Sequence, residues 1–331
     1  MSDQKRWAGG LLGIHALTAL HPGSGTALGT VDLPVQRERH TGWPNIAGSA
    51  LKGILRDACR ELHKGEYQDD GEDVPERDRK TRRQKANTHD VLTQLFGPEK
   101  ADNEAHAGAL SVTDARLLAY PVRSLKGVFA WVSCPAVLCR AARDADLVAD
   151  KTPIAPPAVA QGQALAAEGS PCLIEGTKLL LEEFPFIRQG TGDPTKWAEW
   201  IADSLLPTGD HYKATRERFL KCFVILSDDD FTHFVKYATE VTARIGLNYD
   251  TKTVKDGALF YQEFLPTESL FYAVALVNES RSKQKATAAE LLPTFAAILT
   301  KSPVLQIGGD ETTGKGFCSV RLTTGGSDER E

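Results

Sequence analysis

Short apolar segments alternate with amphipathic helical patterns along this chain, and that alternation admits few folds. The stretch 10-GLLGIHALTALHPGSG-25 partly alternates and ends in a Gly/Pro turn, so it reads as a core strand. A loop of roughly twenty residues follows, broken by Pro34, Gly42 and Pro44; loops of that length inside a compact domain are usually functional or disordered. A helix from about Ser49 to His63 then places Ala47, Leu51, Ile54, Leu55, Ala58 and Leu62 on one face. Strand-like segments recur at 108–120, 127–138, 222–227 and 270-LFYAVALV-277, with a strand pair in 173–184. Helical patterns fall near 88–97, 195–206, 213–220, 228–238 and 287–301. Residues 241–266 alternate around Asp256-Gly257, a hairpin signal. The chain closes with a strand at 303–307, a Gly-rich loop at 308–316 and a strand at 317–322. The β-α-β order with antiparallel hairpins predicts the α+β class with a ferredoxin-like core.

Composition narrows the function classes. The chain has 331 residues, 41% hydrophobic and 25% charged, as in globular proteins, and no apolar run nears membrane-spanning length. The start, MSDQKRWAGG, lacks the apolar centre of a signal peptide. Six cysteines fall in no CxxC or disulfide-like pattern, which predicts a reduced, cytoplasmic setting. A net charge of −5 excludes a globally basic nucleic-acid binder but leaves room for a local basic groove. Two segments stand apart. Residues 65–87 contain a block of charge, with seven acids from Glu66 to Asp78 and six bases from Arg77 to Lys85, which reads as a mobile insertion. Residues 151–171 are rich in Pro, Ala and Gly and read as a surface excursion.

Three features carry candidate chemistry. In 309-GDETTGKG-316 the pattern G-x-x-x-x-G-K lacks its final Ser/Thr, because that position is Gly316, and a strand follows where a phosphate-binding helix is needed. A nucleotide-dependent enzyme is therefore disfavoured. Gly308, Gly309, Gly314 and Gly316 still let backbone N–H groups approach an anion, and Lys315 adds charge; an ordinary Gly-rich turn has the same composition. On the first helix, Lys52, Arg56 and Arg60 are four apart, and Ser49 lies at the N-terminal end. Such a stripe can hold consecutive phosphates, or be a solvated face with Asp57 and Glu61 as salt-bridge partners. Asp32 is a lone acid ahead of Arg37 and Arg39. It suits a turn, or a carboxylate that binds a divalent metal or assists a ribose 2′-OH in attacking its phosphate. The histidines are scattered and form no zinc-type spacing with cysteine. Trp43, Phe129, Trp131, Tyr249, Phe260 and Tyr261 can stack on bases or fill the core.

In order along the chain, 21-HPGSG-25, 31-VDLPVQRE-38, 41-TGWPNIAGSALKGILR-56, 121-PVRSLKGVFAW-131 and 308-GGDETTGKGF-317 resemble the backbone RAMP (repeat-associated mysterious protein) subunits of Cmr-type (type III-B) CRISPR effector complexes. The resemblance runs from residue 10 to about 322, and the segments 66–85 and 151–171 match nothing in it. It implies a single RAMP domain over 1–331. The fold would be a modified ferredoxin-like, RNA-recognition-motif palm with inserted fingers and a protruding thumb β-hairpin at 241–266, carrying Arg244, Lys252 and Lys255. Copies would stack as a helical filament on a CRISPR guide RNA beside other Cmr-type subunits. The family's catalytic loop Asp falls on Asp32, which would cut guide-paired target RNA at regular intervals with Mg²⁺ or Mn²⁺. Ser49, Lys52, Arg56, Arg60 and the loop Gly308, Gly309, Gly314, Lys315 and Gly316 fall where the family grips the guide backbone. His15, His21 and His40 are further acid–base candidates. The alternative is a guide-RNA scaffold that does not cut; Asp32 within VDLP favours the enzyme. Guide-RNA processing, the work of relatives with histidine-based sites, is the remaining alternative.

Overall fold

The computed structural model describes residues 7–26, 31–64, 76–99, 105–148, 155–190, 192 and 194–325. The strands are β1 (Ala8–Ala16), β2 (Asn45–Ile46), β3 (Leu110–Val112), β4 (Ala115–Arg123), β5 (Phe129–Ser133), β6 (Gln163–Ala166), β7 (Lys178–Leu181), β8 (Phe184–Arg188), β9 (Phe223–Leu226), β10 (Glu240–Leu247), β11 (Val254–Phe264), β12 (Leu270–Val277), β13 (Val304–Gln306) and β14 (Phe317–Thr324). The helices are α1 (Gly48–Lys64), α2 (Glu76–Ala86), α3 (Asp90–Phe96), α4 (Pro135–Leu147), α5 (Thr195–Leu205), α6 (Lys213–Cys222), α7 (Asp228–Tyr237) and α8 (Ala288–Lys301).

All strands but β10 and β11 join one twelve-stranded mixed sheet, whose main path is β13-β14-β1-β12-β4-β5-β9-β6-β8-β7. β1 is antiparallel to both neighbours, β12 and β14. With helices α5 and α8 also against it, its Leu11, Leu12, Ile14 and Ala16 are fully buried. A strand covered on both faces reads as a continuous apolar run rather than a clean alternation. α1 supplies Leu51, Leu55 and Cys59 to the same core at helical spacing. Its first turn is anchored by Asp114, which accepts from the Gly48 N–H at 2.7 Å. α8 starts with a capping box in which Thr287 and Glu290 satisfy each other's backbone N–H.

β10 and β11 form a separate two-stranded hairpin. Its turn lies at 248–253, not at Asp256-Gly257, which falls inside β11. The turn forms there because Asn248 closes it from both ends: its side chain accepts from the Asp250 N–H and its N–H donates to the Thr253 carbonyl. Three other expectations shift. The stretch 127–138 is a strand only to Ser133, because Pro135 opens α4. The 151–171 stretch is described from 155 and contains β6, whose Ala164, Leu165 and Ala166 are buried in the sheet. Of the charged segment 65–87, residues 65–75 lie outside the described ones, while 76–86 form α2 beside α1. The end of α2 reaches the interior at Ala86. Among the described residues, no helix is long and apolar enough to cross a membrane.

Candidate nucleic-acid interface

Three segments distant in sequence meet where β11 enters the body of the protein. The first is the loop after β1. Its Leu33 forms a parallel bridge with Gln262, donating its N–H to the Tyr261 carbonyl and accepting from the Glu263 N–H, both at 3.0 Å. Asp32 is exposed, and its Oδ2 accepts from the Tyr261 N–H at 2.7 Å. The second segment is the hairpin base. The third is the Gly-rich loop, whose Asp310 accepts from Arg244 on β10 at 2.8 Å and from Gln262 on β11 at 2.6 Å.

Glu263 joins the first two. It is 6% exposed and points back at the loop. One carboxylate oxygen accepts from the Val35 N–H at 2.9 Å, and the other from Arg37 Nη2 at 2.5 Å. Arg37 also donates to the carbonyls of Gly42 and Val235. The Glu263 carbonyl accepts from Nδ1 of His21, and the His21 carbonyl accepts from the Gly309 N–H. A buried carboxylate is tolerable here because charge-assisted donors surround it.

Close approach at two positions explains the glycines. A Cβ at Gly308 (φ 84°) would lie 2.3 Å from the His21 carbonyl oxygen, and one at Gly316 (φ 78°) 2.2 Å from that of Ile307. Four of the loop's N–H groups bond inside the protein. Those of Gly309, Gly314, Lys315 and Gly316 donate to the carbonyls of His21, Glu311, Asp310 and Ala19. Gly314 (φ 77°) closes a single 3₁₀ turn, and β14 follows the loop. Lys315 places its Nζ 5.1 Å from the centroid of Phe264, over which Arg244 also lies.

The helical stripe is divided. Ser49 is exposed at the start of α1. Lys52 and Arg56 are half-buried, and desolvation lowers both pKa values, helped by repulsion from Arg56 at Lys52 and from Arg60 at Arg56. Arg56 donates to the Gly97 carbonyl at the end of α3. Arg60 pairs with Asp57 and bonds Asn87, and Arg83 of α2 shares that Asp57. The internal salt-bridge role therefore holds for Arg60. Lys52 lines a small cleft with Gly97, Ser111, Asn278 and Arg281.

On the hairpin, Lys252 adopts φ 56° in the turn, with its Nζ over the Tyr249 ring, and Lys255 is exposed at the start of β11. The cross-strand pairs Ala243–Tyr261 and Ile245–Leu259 share one face, and Ile245, Leu259 and Tyr261 are exposed there. Trp43 and Trp131 are core residues instead. His15 lies between Tyr212 and Glu268, while His40 is exposed beside Glu38. Sequence reasoning missed Glu263, Gln262 and Asp310. Their only signal was polarity at strand and loop positions, and the partners lie tens to hundreds of residues away.

Comparison with known proteins gives the family and the fold. The profile of the RAMP superfamily matches residues 14–319. The CRISPR system Cmr endoribonuclease Cmr4 of Pyrococcus furiosus is 36% identical, covering 94% of this chain and 95% of its own length. The crystal structure of oligomeric Cmr4 from Pyrococcus furiosus superposes with a TM-score of 0.68 at 31% identity, covering 97% of this chain and 99% of that one. A chain of the type III-B Cmr-beta complex bound to cognate target RNA shares the fold, with a TM-score of 0.66 at 20% identity over 96% and 98% of the two chains. With the profile match spanning most of the described fold, from β1 into β14, the chain belongs to the RAMP superfamily.

Proposed function

We propose that this chain is a filament-forming subunit of a Cmr-type (type III-B) CRISPR effector, which binds the guide RNA and cuts paired target RNA through Asp32. The observation that carries the reading is the placement of Asp32: an exposed carboxylate held by the backbone of a hairpin that pairs apart from the main sheet, with Arg37, Arg244 and Lys315 in the same convergence of segments. The Pyrococcus furiosus relative, named an endoribonuclease, supports cleavage, and its oligomeric crystal form supports self-association.

The strand order β14-β1-β12-β4, all antiparallel, supports a ferredoxin-like palm. α1 lies in the connection between β1 and β4, and α8 in that between β12 and β14. β10–β11 would be the thumb, with its exposed apolar face set against unpaired bases and Lys252 and Lys255 near the backbone. Ser49, Lys52, Arg56 and Lys315 would meet guide phosphates. Arg60 and the loop glycines would contribute by holding α1 and the Gly-rich loop in shape. Other Cmr-type subunits would be its partners in the complex.

In the cut, the target ribose 2′-O bonds to its phosphorus and the P–O5′ bond breaks. The products are a 2′,3′-cyclic phosphate and a 5′-OH that has taken a proton. Asp32 accepts the 2′-OH proton. Specificity comes from base pairing, as in RNA-guided DNA effectors. Among the described residues, no three His, Cys, Asp or Glu groups form a metal cage. One exposed carboxylate still suits Mg²⁺ or Mn²⁺, which commonly take one or two carboxylates together with substrate phosphates. When bound at Asp32, the ion would neutralise charge developing on the phosphate.

The test is the reconstituted complex with guide, labelled complementary RNA and Mg²⁺ or Mn²⁺, comparing wild type with Asp32→Ala while target binding is measured in parallel. Evenly spaced cuts that vanish while binding persists support the reading. Unchanged cutting refutes it and leaves the chain as a scaffold.

A further inference from the structure

The β10–β11 hairpin pairs with itself rather than with the main sheet, and an isolated two-stranded hairpin is marginal in water. Its orientation must therefore come from contacts at its base. One set is the edge of β11, where residues 32 and 33 add a short parallel bridge. A second is Glu263, bonded to Val35, Arg37 and His21, and a third is Asp310. Both of its carboxylate oxygens are used, Oδ1 by Arg244 on one strand and Oδ2 by Gln262 on the other. Thr242 is the register partner of Gln262, so Arg244 and Gln262 are diagonal neighbours on one face, and Asp310 bridges both strands. The receiving end is rigid. Gln262 is 4% exposed, and the Gly-rich loop is pinned through Gly309 and Gly316 to the carbonyls of His21 and Ala19. Asp310 itself adopts φ 67°, a left-handed backbone that side chains rarely take and that Asp and Asn tolerate best.

Tyr261 immediately precedes Gln262, and its N–H is the donor that holds Asp32. We propose that Asp310 is a positioning residue: it clamps both strands of the hairpin through Arg244 and Gln262, and so fixes the Tyr261 N–H that orients the Asp32 carboxylate. This rests on the reading of Asp32 as the cutting residue. It adds that the Gly-rich loop, the hairpin and the acid are one mechanical unit, so that the loop sets the cutting geometry.

The experiment is single-turnover cleavage by the reconstituted complex at saturating target, with target affinity measured separately. The variants are Asp310→Ala, Asp310→Asn, Gln262→Leu and Asp32→Ala. Asp310→Ala is expected to slow cutting by about 10- to 100-fold, the size of effect that follows sub-ångström to ångström misplacement of a reacting group. Target affinity should stay at the wild-type value. Asp310→Asn keeps the left-handed backbone and an acceptor for Arg244, and its NH₂ can donate to the carbonyl of a turned Gln262 amide, so it should recover most of the rate. Gln262→Leu reads the same link from the other end and should also slow cutting, even where Asp310→Ala fails to assemble. Three results overturn the proposal: full-rate cutting by Asp310→Ala or Gln262→Leu, a parallel loss of affinity and rate, or an Asn variant as slow as the Ala one. Asp32→Ala separates the two ideas. If it cuts normally, the functional reading falls. If it is dead while Asp310→Ala cuts at full rate, only the positioning role falls.

Discussion

Replacing Glu263 with Gln should loosen the Asp32 loop at a cost that can be worked from its partners. The carboxylate accepts from Val35 N–H and Arg37 Nη2, and both side chains of the ion pair are mostly buried, at 8% and 22% exposure. An amide has one acceptor oxygen, so its NH₂ must face one of the two donors. Removing one partner of a buried pair typically costs about 3–5 kcal/mol. Arg37 keeps the Gly42 and Val235 carbonyls, however, so its guanidinium is not orphaned. The loss is then about 2–4 kcal/mol, close to one charge-assisted hydrogen bond plus a donor–donor contact. For a chain of this length that lowers Tm by roughly 3–6 °C, readable by calorimetry on the purified chain. The cost falls on Arg37, which loses its carboxylate. In an Arg37→Met background the same Glu263→Gln change should therefore cost clearly less. An unchanged Tm, or an equal cost in both backgrounds, would exclude the Arg37–Glu263 pair as the source of the cost.

Gly308→Ala should destabilise more than Gly314→Ala, by thermal melting. Both have positive φ, a strain of about 1–2 kcal/mol for Ala, but only Gly308 would also drive a Cβ into a backbone oxygen, whereas nothing lies within 4 Å at Gly314. Hydrogen bonds from Thr287 hold the Glu290 carboxyl below its ordinary range. A depressed pKa stabilises above the unfolded value and is lost as pH falls through the folded one. Wild type should thus melt above Glu290→Gln near neutral pH, with the gap closing through the acid range; a gap independent of pH refutes the assignment.

The parts legible in sequence were those written in local pattern. β12, α1 and α8 follow from apolar runs and helical spacing, because burial on a known face leaves its period in the chain. The hairpin was legible as alternation, but its turn was not: Asp256-Gly257 carries the stronger dipeptide signal, and the Asn248 side-chain bonds decide otherwise. α4 was hidden behind a strand-like apolar run. Composition misjudged β6, since Ala-rich sequence can fill a tightly packed sheet centre as well as a loop. At the site, Asp32 stood out through its neighbours in sequence. Glu263, Gln262 and Asp310 did not, since a polar residue in a strand looks the same whether it meets water or a loop across the fold.

The same distinction bears on how one acid would work among so many bases. In the proposed reading, Tyr261 has two tasks, one on the face of the hairpin and one at its edge. Its ring extends the exposed apolar face with Ala243, Ile245 and Leu259, while its N–H holds Asp32. An apolar face on a protruding element is the sort of surface a free protein seldom leaves bare. A nucleic-acid segment seated against that face would thereby lie beside the residue that holds the carboxylate. The cutting position would then follow from where the hairpin lodges, not from the bases beside it. An enzyme whose sequence choice is delegated to a guide needs only that: a ruler, and one acid fixed to the ruler's edge.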